Sequence, residues 1–181
     1  MNKEGSVIAN NNPFLGRILR EPYLCTSKDF HVVRDRWPVI DGHYLLFTKS
    51  QIPSLADADV DILVEFINGY LIVQLGEEYI LIERGRALSC TSFEVVHAHA
   101  HLIPVCYSGV INERLRSLRS YKFESLKSAL SSIEKGKSYL LWGELRGSVE
   151  LSYEVKNLPK RFVRSVIEGG IDSRENKGGN K

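Results

Sequence analysis

Three histidines alternate with apolar residues in the run Val95-Val96-His97-Ala98-His99-Ala100-His101-Leu102-Ile103-Pro104, in a chain of 181 residues that holds only five histidines. In an extended strand every second side chain projects to the same face. The spacing therefore predicts one face bearing three imidazoles and another bearing alanine, valine and leucine. Imidazole is partly neutral near pH 7, so it can accept a proton, donate one, attack an electrophile or bind a metal. Three readings of the run stand side by side. The rings could be structural polar groups. They could hold zinc, with Cys90 and Cys106 close in sequence, although no CxxC or HExxH pattern completes a ligand set. They could grip and attack a phosphorus centre, which is the reading preferred for three rings in one row.

The chain around the run extends the pattern. The blocks are Phe30-His31-Val32-Val33-Arg34-Asp35-Arg36-Trp37-Pro38-Val39-Ile40-Asp41-Gly42-His43-Tyr44-Leu45-Leu46, then Lys49 to Leu55, then Ile82-Glu83-Arg84-Gly85. With His-x-His-x-His, two apolar residues and Pro, their order and spacing resemble the histidine-triad (HIT) superfamily of nucleotide hydrolases and transferases. The resemblance covers roughly residues 22–105, and more loosely the chain to about 168. It implies that His99 is the nucleophile, oriented by a main-chain carbonyl near His97. It implies that His97 and His101 flank the phosphorus, and that His43 of the Gly-His pair supports them. Asp35 matches a ribose-binding position, and Val33 and Leu45 match positions that pack on the nucleobase. His31 has no such match and is read as structural. One departure stands out: the usual phosphate-donor position is Glu94, so Ser92 or Thr91 would have to supply that hydrogen bond.

Composition narrows the class. The chain is 43% hydrophobic and 25% charged with a formal net charge of +2, which fits a globular protein and gives no argument for general nucleic-acid binding. No apolar run is long enough to span a bilayer. The start, Met1-Asn2-Lys3-Glu4-Gly5, is not expected to be a signal peptide. Cys25, Cys90 and Cys106 are odd in number and dispersed, so free thiols and a cytoplasmic location are expected. Cys106 is read as a small buried hydrophobe.

The elements that must position the histidines follow from periodicity. Strands are expected at Tyr23–Thr26, Phe30–Arg34, His43–Thr48 and Tyr79–Glu83, then the triad strand. A long helix is expected from Pro53–Leu55 with Ser54 as its cap, with an apolar stripe of Val60, Leu63, Val64, Phe66, Ile67, Leu71, Ile72 and Leu75, closed by Gly76. The fold class is thus α+β: a HIT-like antiparallel meander with a long crossing helix. Beyond it, helices are expected at Asn112–Arg119 and Phe123–Glu134, a hairpin at Tyr139–Leu145 and Val149–Val155, and a helix from Pro159 through Ile167. Lys160, Arg161 and Arg164 of that helix are read as a solvated face. The division is an N-terminal segment (1–21), a core domain (22–108), a C-terminal helix and hairpin extension (109–168) packed on the core, and a disordered tail (169–181).

The function expected is that of a hydrolase or nucleotidyltransferase acting at the α-phosphate of an adenine nucleotide conjugate, through a covalent nucleotidyl-His99 intermediate. The bond cleaved would be a phosphoanhydride, phosphoramidate or phosphodiester. The alternative is a nucleotide-binding or sensing module with little catalysis, and Glu94 is the feature that motivates it. No cofactor and no metal is expected. The partner is a small-molecule nucleotide, with no membrane and no specific nucleic acid. The stripe on Val60–Leu75 permits a homodimer and equally suits burial in the chain's own core.

Overall fold

A computed structural model describes residues 23–76, 78–86, 97–159 and 161–175. The elements in order are β1 (Tyr23–Thr26), β2 (Phe30–Arg34), β3 (Tyr44–Thr48), α1 (Val60–Phe66), α2 (Ile72–Leu75), β4 (Tyr79–Gly85), β5 (His99–Pro104), α3 (Ser108–Leu115), β6 (Tyr121–Phe123), α4 (Leu126–Ser132), β7 (Tyr139–Glu144), β8 (Val149–Ser152) and α5 (Phe162–Glu175). The strands form one sheet in the order β1-β2-β3-β5-β4-β7-β8-β6, antiparallel at every pairing. The fold is α+β. Two features break the simple meander: β5 inserts between β3 and β4, and β6 closes the far edge beyond β8.

The two faces of the sheet carry different loads. On one face Phe30, Val32, Leu46, Ala100, Leu102, Leu81, Leu141 and Leu151 meet Leu63, Phe66, Ile67 and Leu71 of the crossing helix and Leu126, Ala129 and Leu130 of α4. The expected stripe is therefore consumed in the chain's own core. On the other face Ile80, Ile82, Leu140 and Trp142 are covered by Ile111 and Leu115 of α3 and by Val163, Val166 and Ile167 of α5. The rest of that second face, over β2, β3 and β5, holds Val33, Leu45 and Phe47 beside the histidines.

The crossing helix departs from a single run. Leu55–Asp57 forms one 3₁₀ turn, and Ala58 is extended. The α-helical cap is Asp59, whose carboxylate accepts from the backbone N–H of Asp61 and Ile62, while Ser54 makes no side-chain cap bond. Residues Ile67–Leu71, which include the poor helix formers Asn68 and Gly69, widen into a π-turn. Gly76 ends the element at φ 80°, a value that suits glycine.

After β5 several expected boundaries move. Helix α3 begins at Ser108, straight from the 3₁₀ turn Val105–Tyr107, and ends at Leu115. That turn leaves Cys106 exposed rather than buried. Residues Tyr121–Phe123 pair with β8 as an edge strand, because Ser125 caps α4 through Ser128 N–H and starts the helix there. The last helix runs on through Gly169 to Glu175, where the sequence reading expects structureless chain from 169. Arg114 donates to the Gly169 carbonyl at 2.5 Å and supports that extra turn. Among the described residues no helix is long and apolar enough to cross a membrane.

Glu83 is buried in the first core. It lies opposite Ala100 of β5, whose small side chain leaves room for it. Its Oε1 accepts from Leu55 N–H at 2.7 Å and its Oε2 pairs with Tyr139 Oη at 2.6 Å. Tyr139 lies across Gly85, where a Cβ would come within 2.2 Å of the ring. Burial raises the Glu83 carboxyl to about 7, against an ordinary value near 4.5. The folded chain then holds a proton that the unfolded chain has released, so this contribution is full below pH 4.5 and is lost as pH rises through 7. Relative to wild type, Glu83→Gln is expected to gain on the order of 3 kcal/mol between pH 4.5 and 8. Urea denaturation across that range checks it; a constant difference between the two proteins would refute the assignment.

Candidate functional site

The register of the sheet builds the site. Across β2, β3, β5, β4 and β7 one row reads Val33, Leu45, His101, Ile82, Trp142. The adjacent row reads His31, Phe47, His99. His99 and His101 therefore share a face, and Ala98, Ala100 and Leu102 turn to the helical core. The rings are unequally open: His97 is 2% exposed and His101 7%, whereas His99 is half-buried. The site is thus largely closed around His97 and His101 and more open at His99.

Hydrogen bonds to the ring nitrogens fix the tautomers. His99 Nδ1 lies 2.8 Å from the His97 carbonyl, on the same segment. A carbonyl only accepts, so Nδ1 carries the proton and the neutral ring presents its lone pair at Nε2. His97 Nε2 donates to the Thr48 carbonyl at 2.5 Å. His43 Nδ1 accepts from Val39 N–H at 3.3 Å, which puts the His43 proton on Nε2. That Nε2 lies 2.8 Å from His101 Nδ1, so His101 accepts there and carries its own proton on Nε2. The network thus assigns a lone pair at His99 Nε2 and an N–H at His101 Nε2, with ring centroids 5.7 Å apart.

The Gly-His pair has a local cause. Gly42 turns the chain at φ 75° into β3, and a Cβ there would crowd the Pro104 ring and Tyr79 Oη, both at 3.1 Å. The loop 35–43 is closed by Asp35 N–H donating to the His43 carbonyl at 3.0 Å and by the exposed Arg34–Asp41 ion pair at 2.9 Å. This geometry brings His43, fully buried, under the end of the triad strand.

Asp35 sits differently from the sequence expectation. Its side chain is 2% exposed. Oδ1 accepts from Trp37 N–H at 2.9 Å, and Oδ2 pairs with the Arg164 guanidinium and lies 3.5 Å from His43 Nε2. Arg164 also donates to the Trp37 carbonyl at 2.6 Å. The residue read from sequence as part of a solvated face is therefore a site residue, delivered by α5. Its neighbour in this task is Arg84 of β4, which donates to the carbonyls of Val155, Leu158 and Pro159 and fixes the chain that enters α5. An arginine at helical spacing gives no sign in sequence of which carboxylate it will meet.

His31 stacks on Tyr23 with ring centroids 4.1 Å apart and bonds Thr26 Oγ1 at 2.7 Å, at the sheet margin. Val33 and Leu45 are buried with Phe47 as an apolar floor on the histidine face. Ser92, with Thr91, Glu94 and Cys90, lies outside the described residues.

Burial dominates the electrostatics. It lowers His43 to about 4, opposed by Asp35 and helped by Arg164. It lowers His101 well below its ordinary range, with the charges of His99, His43 and Arg164 adding to it. It also lowers His97, and it lowers His99 against the bond to the His97 carbonyl. The site is thus built to keep its imidazoles neutral. Asp35, His43 and His101 could share a cation, since their donor atoms lie within 4.8 Å. An ion there would compete with the Arg164 contact of Asp35 and with the His43–His101 bond.

No known family's sequence profile matches the chain, and no curated protein matches it. Solved structures do. A Hit-like protein involved in cell-cycle regulation from Bartonella henselae is 25% identical over 54% of this chain and 81% of its own, with a TM-score of 0.37. A hypothetical histidine triad nucleotide-binding protein from Sulfolobus tokodaii is 16% identical over 92% and 94%, with a TM-score of 0.37. Yeast Ap4A phosphorylase in complex with AMP is 14% identical over 70% of this chain and 56% of its own, with a TM-score of 0.43.

A depressed histidine pKa stabilises above its unfolded value and is lost as pH falls through the folded one. His43, near 4 when folded against 6.5 unfolded, is expected to withdraw roughly 3 kcal/mol of stability as pH drops from about 6.5 to 4. His43→Gln should remove that acid limb in denaturation curves. Ring nitrogen shifts of wild type should show His43 as the Nε2–H tautomer from pH 8 down to 5.5; titration of the ring near 6.5 would contradict the network.

Proposed function

We propose that the chain is a HIT-type nucleotide hydrolase or nucleotidyltransferase, with His99 as the nucleophile at the α-phosphorus. What carries the reading is the 2.8 Å contact of His99 Nδ1 with the His97 carbonyl, which fixes the nucleophilic tautomer. Val33 and Leu45 lie buried in the row beside His101, and adenine as the base rests on resemblance alone.

The bonds balance simply. The His99 Nε2 lone pair forms a bond to phosphorus, and the bond from phosphorus to the leaving group breaks. The leaving group departs with the electron pair, hydrogen-bonded by His101 Nε2–H, and takes its proton from water. In the intermediate His99 is a cationic imidazolium bonded to the nucleotidyl group, and the His97 carbonyl against Nδ1–H favours that charge. A water, or another acceptor, then attacks phosphorus, releases one proton to solvent and returns His99 to neutrality. The His101 Nε2–H is the donor that the network leaves for the charge developing at the reacting centre, since the His97 N–H is held by the Thr48 carbonyl. His43 holds His101 with its donor nitrogen toward the reacting atoms.

His99→Ala is expected to lower turnover of adenylate conjugates by several orders of magnitude, with nucleotide affinity little changed. Intact-mass analysis at neutral or alkaline pH, which preserves phosphohistidine, should show a nucleotidyl adduct on wild type and none on the variant. Full activity in His99→Ala would end the nucleophile assignment. Tight nucleotide binding with neither adduct nor turnover would favour the sensing module instead.

A further inference from the structure

The ion pair between Asp35 and Arg164 changes what the site can recognise. A nucleotide held by its ribose needs an open acceptor for the 2′- and 3′-hydroxyls, and a carboxylate serves because each oxygen has two lone pairs. The resemblance gives Asp35 this role, yet its side chain is 2% exposed. One oxygen is spent on the Trp37 N–H, and the other faces the Arg164 guanidinium and the His43 ring. Arg164 is itself tied to the Trp37 carbonyl, and α5 is anchored behind it by Val163, Val166 and Ile167 in the second core. Arg84 holds the carbonyls that lead into the helix. A sugar hydroxyl would have to break a buried ion pair on an anchored helix to reach Asp35.

We infer that Arg164 is a specificity-determining residue: by occupying Asp35 it makes this site indifferent to the ribose diol, so ribo- and deoxyribonucleotide substrates are accepted alike. The inference rests on the nucleotide reading above. The guanidinium supplies Asp35 with the donors that a sugar would otherwise supply. Recognition then falls to the phosphate, through the histidines, and to the base. Arg164 acts through Asp35 and does not itself touch the sugar.

The test uses the full chain with three probes: adenosine 5′-monophosphate, its 2′-deoxy form and its 2′,3′-dideoxy form. Calorimetry gives the affinities, and the shift of the His99 ring resonances reports binding at the triad. A hydroxyl donating to a carboxylate, if that contact is made, is on the order of ten- to a hundredfold in affinity. The three wild-type dissociation constants are therefore expected to agree within about threefold, since that contact is not made. Arg164→Met leaves Asp35 Oδ2 without its cation, and this variant is expected to acquire a preference for the diol of about fivefold or more. A wild-type preference of tenfold or more for the ribo form would overturn the inference while leaving the nucleotide reading intact. A folded Arg164→Met that stays indifferent would overturn the role of Arg164. If no probe binds or moves the His99 signals, both the nucleotide reading and the inference fall. Should Arg164→Met not fold, the wild-type ratio decides alone.

Discussion

The site depends on one short hydrogen bond made along a strand and not across it. His99 donates from Nδ1 to the carbonyl two residues earlier, and that choice leaves Nε2 as the lone-pair nitrogen. The strand begins at His99, with His97 in the bend just before it; His99 and His101 share one face, and the bond from His99 reaches back to the carbonyl of that bend. Slippage by one residue would turn the His99 and His101 rings into the helical core and bring Ala100 out. The fold blocks that slippage by placing β5 between β3 and β4, with ladders on both edges. The alanines matter as much as the histidines. Ala100 makes space for Glu83 on the opposite face, and through it for the bond that fixes Leu55. Chemistry and core are two sides of the same six residues.

Burial outweighs the opposing charge of Asp35 at His43 and His99. His43, His97, His99 and His101 are all pushed toward neutrality by desolvation, and Arg164 adds a positive charge near two of them. A neutral chain of rings has only one consistent set of proton positions once Val39 N–H occupies His43 Nδ1. The direction of the chain, from the loop at residue 39 to the triad, follows from that backbone donor. The C-terminal helix contributes through Arg164, so the two halves of the sequence meet at Asp35.

Much of this was legible in the sequence because it rests on period and on turn chemistry. Alternation placed His99 and His101 on one face, and Gly42 beside His43 marked a turn that only glycine fits well. The strands β1 to β4 could be drawn within a residue or two. Other features were hidden for physical reasons. Asp59 and Ser125 cap helices, but a polar residue near a helix start is common, and Ser54 looked as good. Edge strand β6 is three residues long and carries too little pattern to separate it from a helix. The partnership of Asp35 with Arg164 spans 129 positions, and no local rule connects residues so far apart. Burial of His97 and His101 was missed as well, because strand alternation tells which face a side chain takes and not what covers that face.

The continuous sheet has a consequence for how the chain is made. On one edge β4 pairs with the triad strand, and on the other it pairs with β7 from Ile80 to Gly85. During synthesis that second edge stays bare until residues 139–144 have left the ribosome. A row of unsatisfied amide and carbonyl groups, flanked by isoleucines, is then open to any other extended peptide. A truncated product that ends shortly after β5 would keep the edge permanently, and it should be sticky and prone to co-aggregate even with every histidine in place.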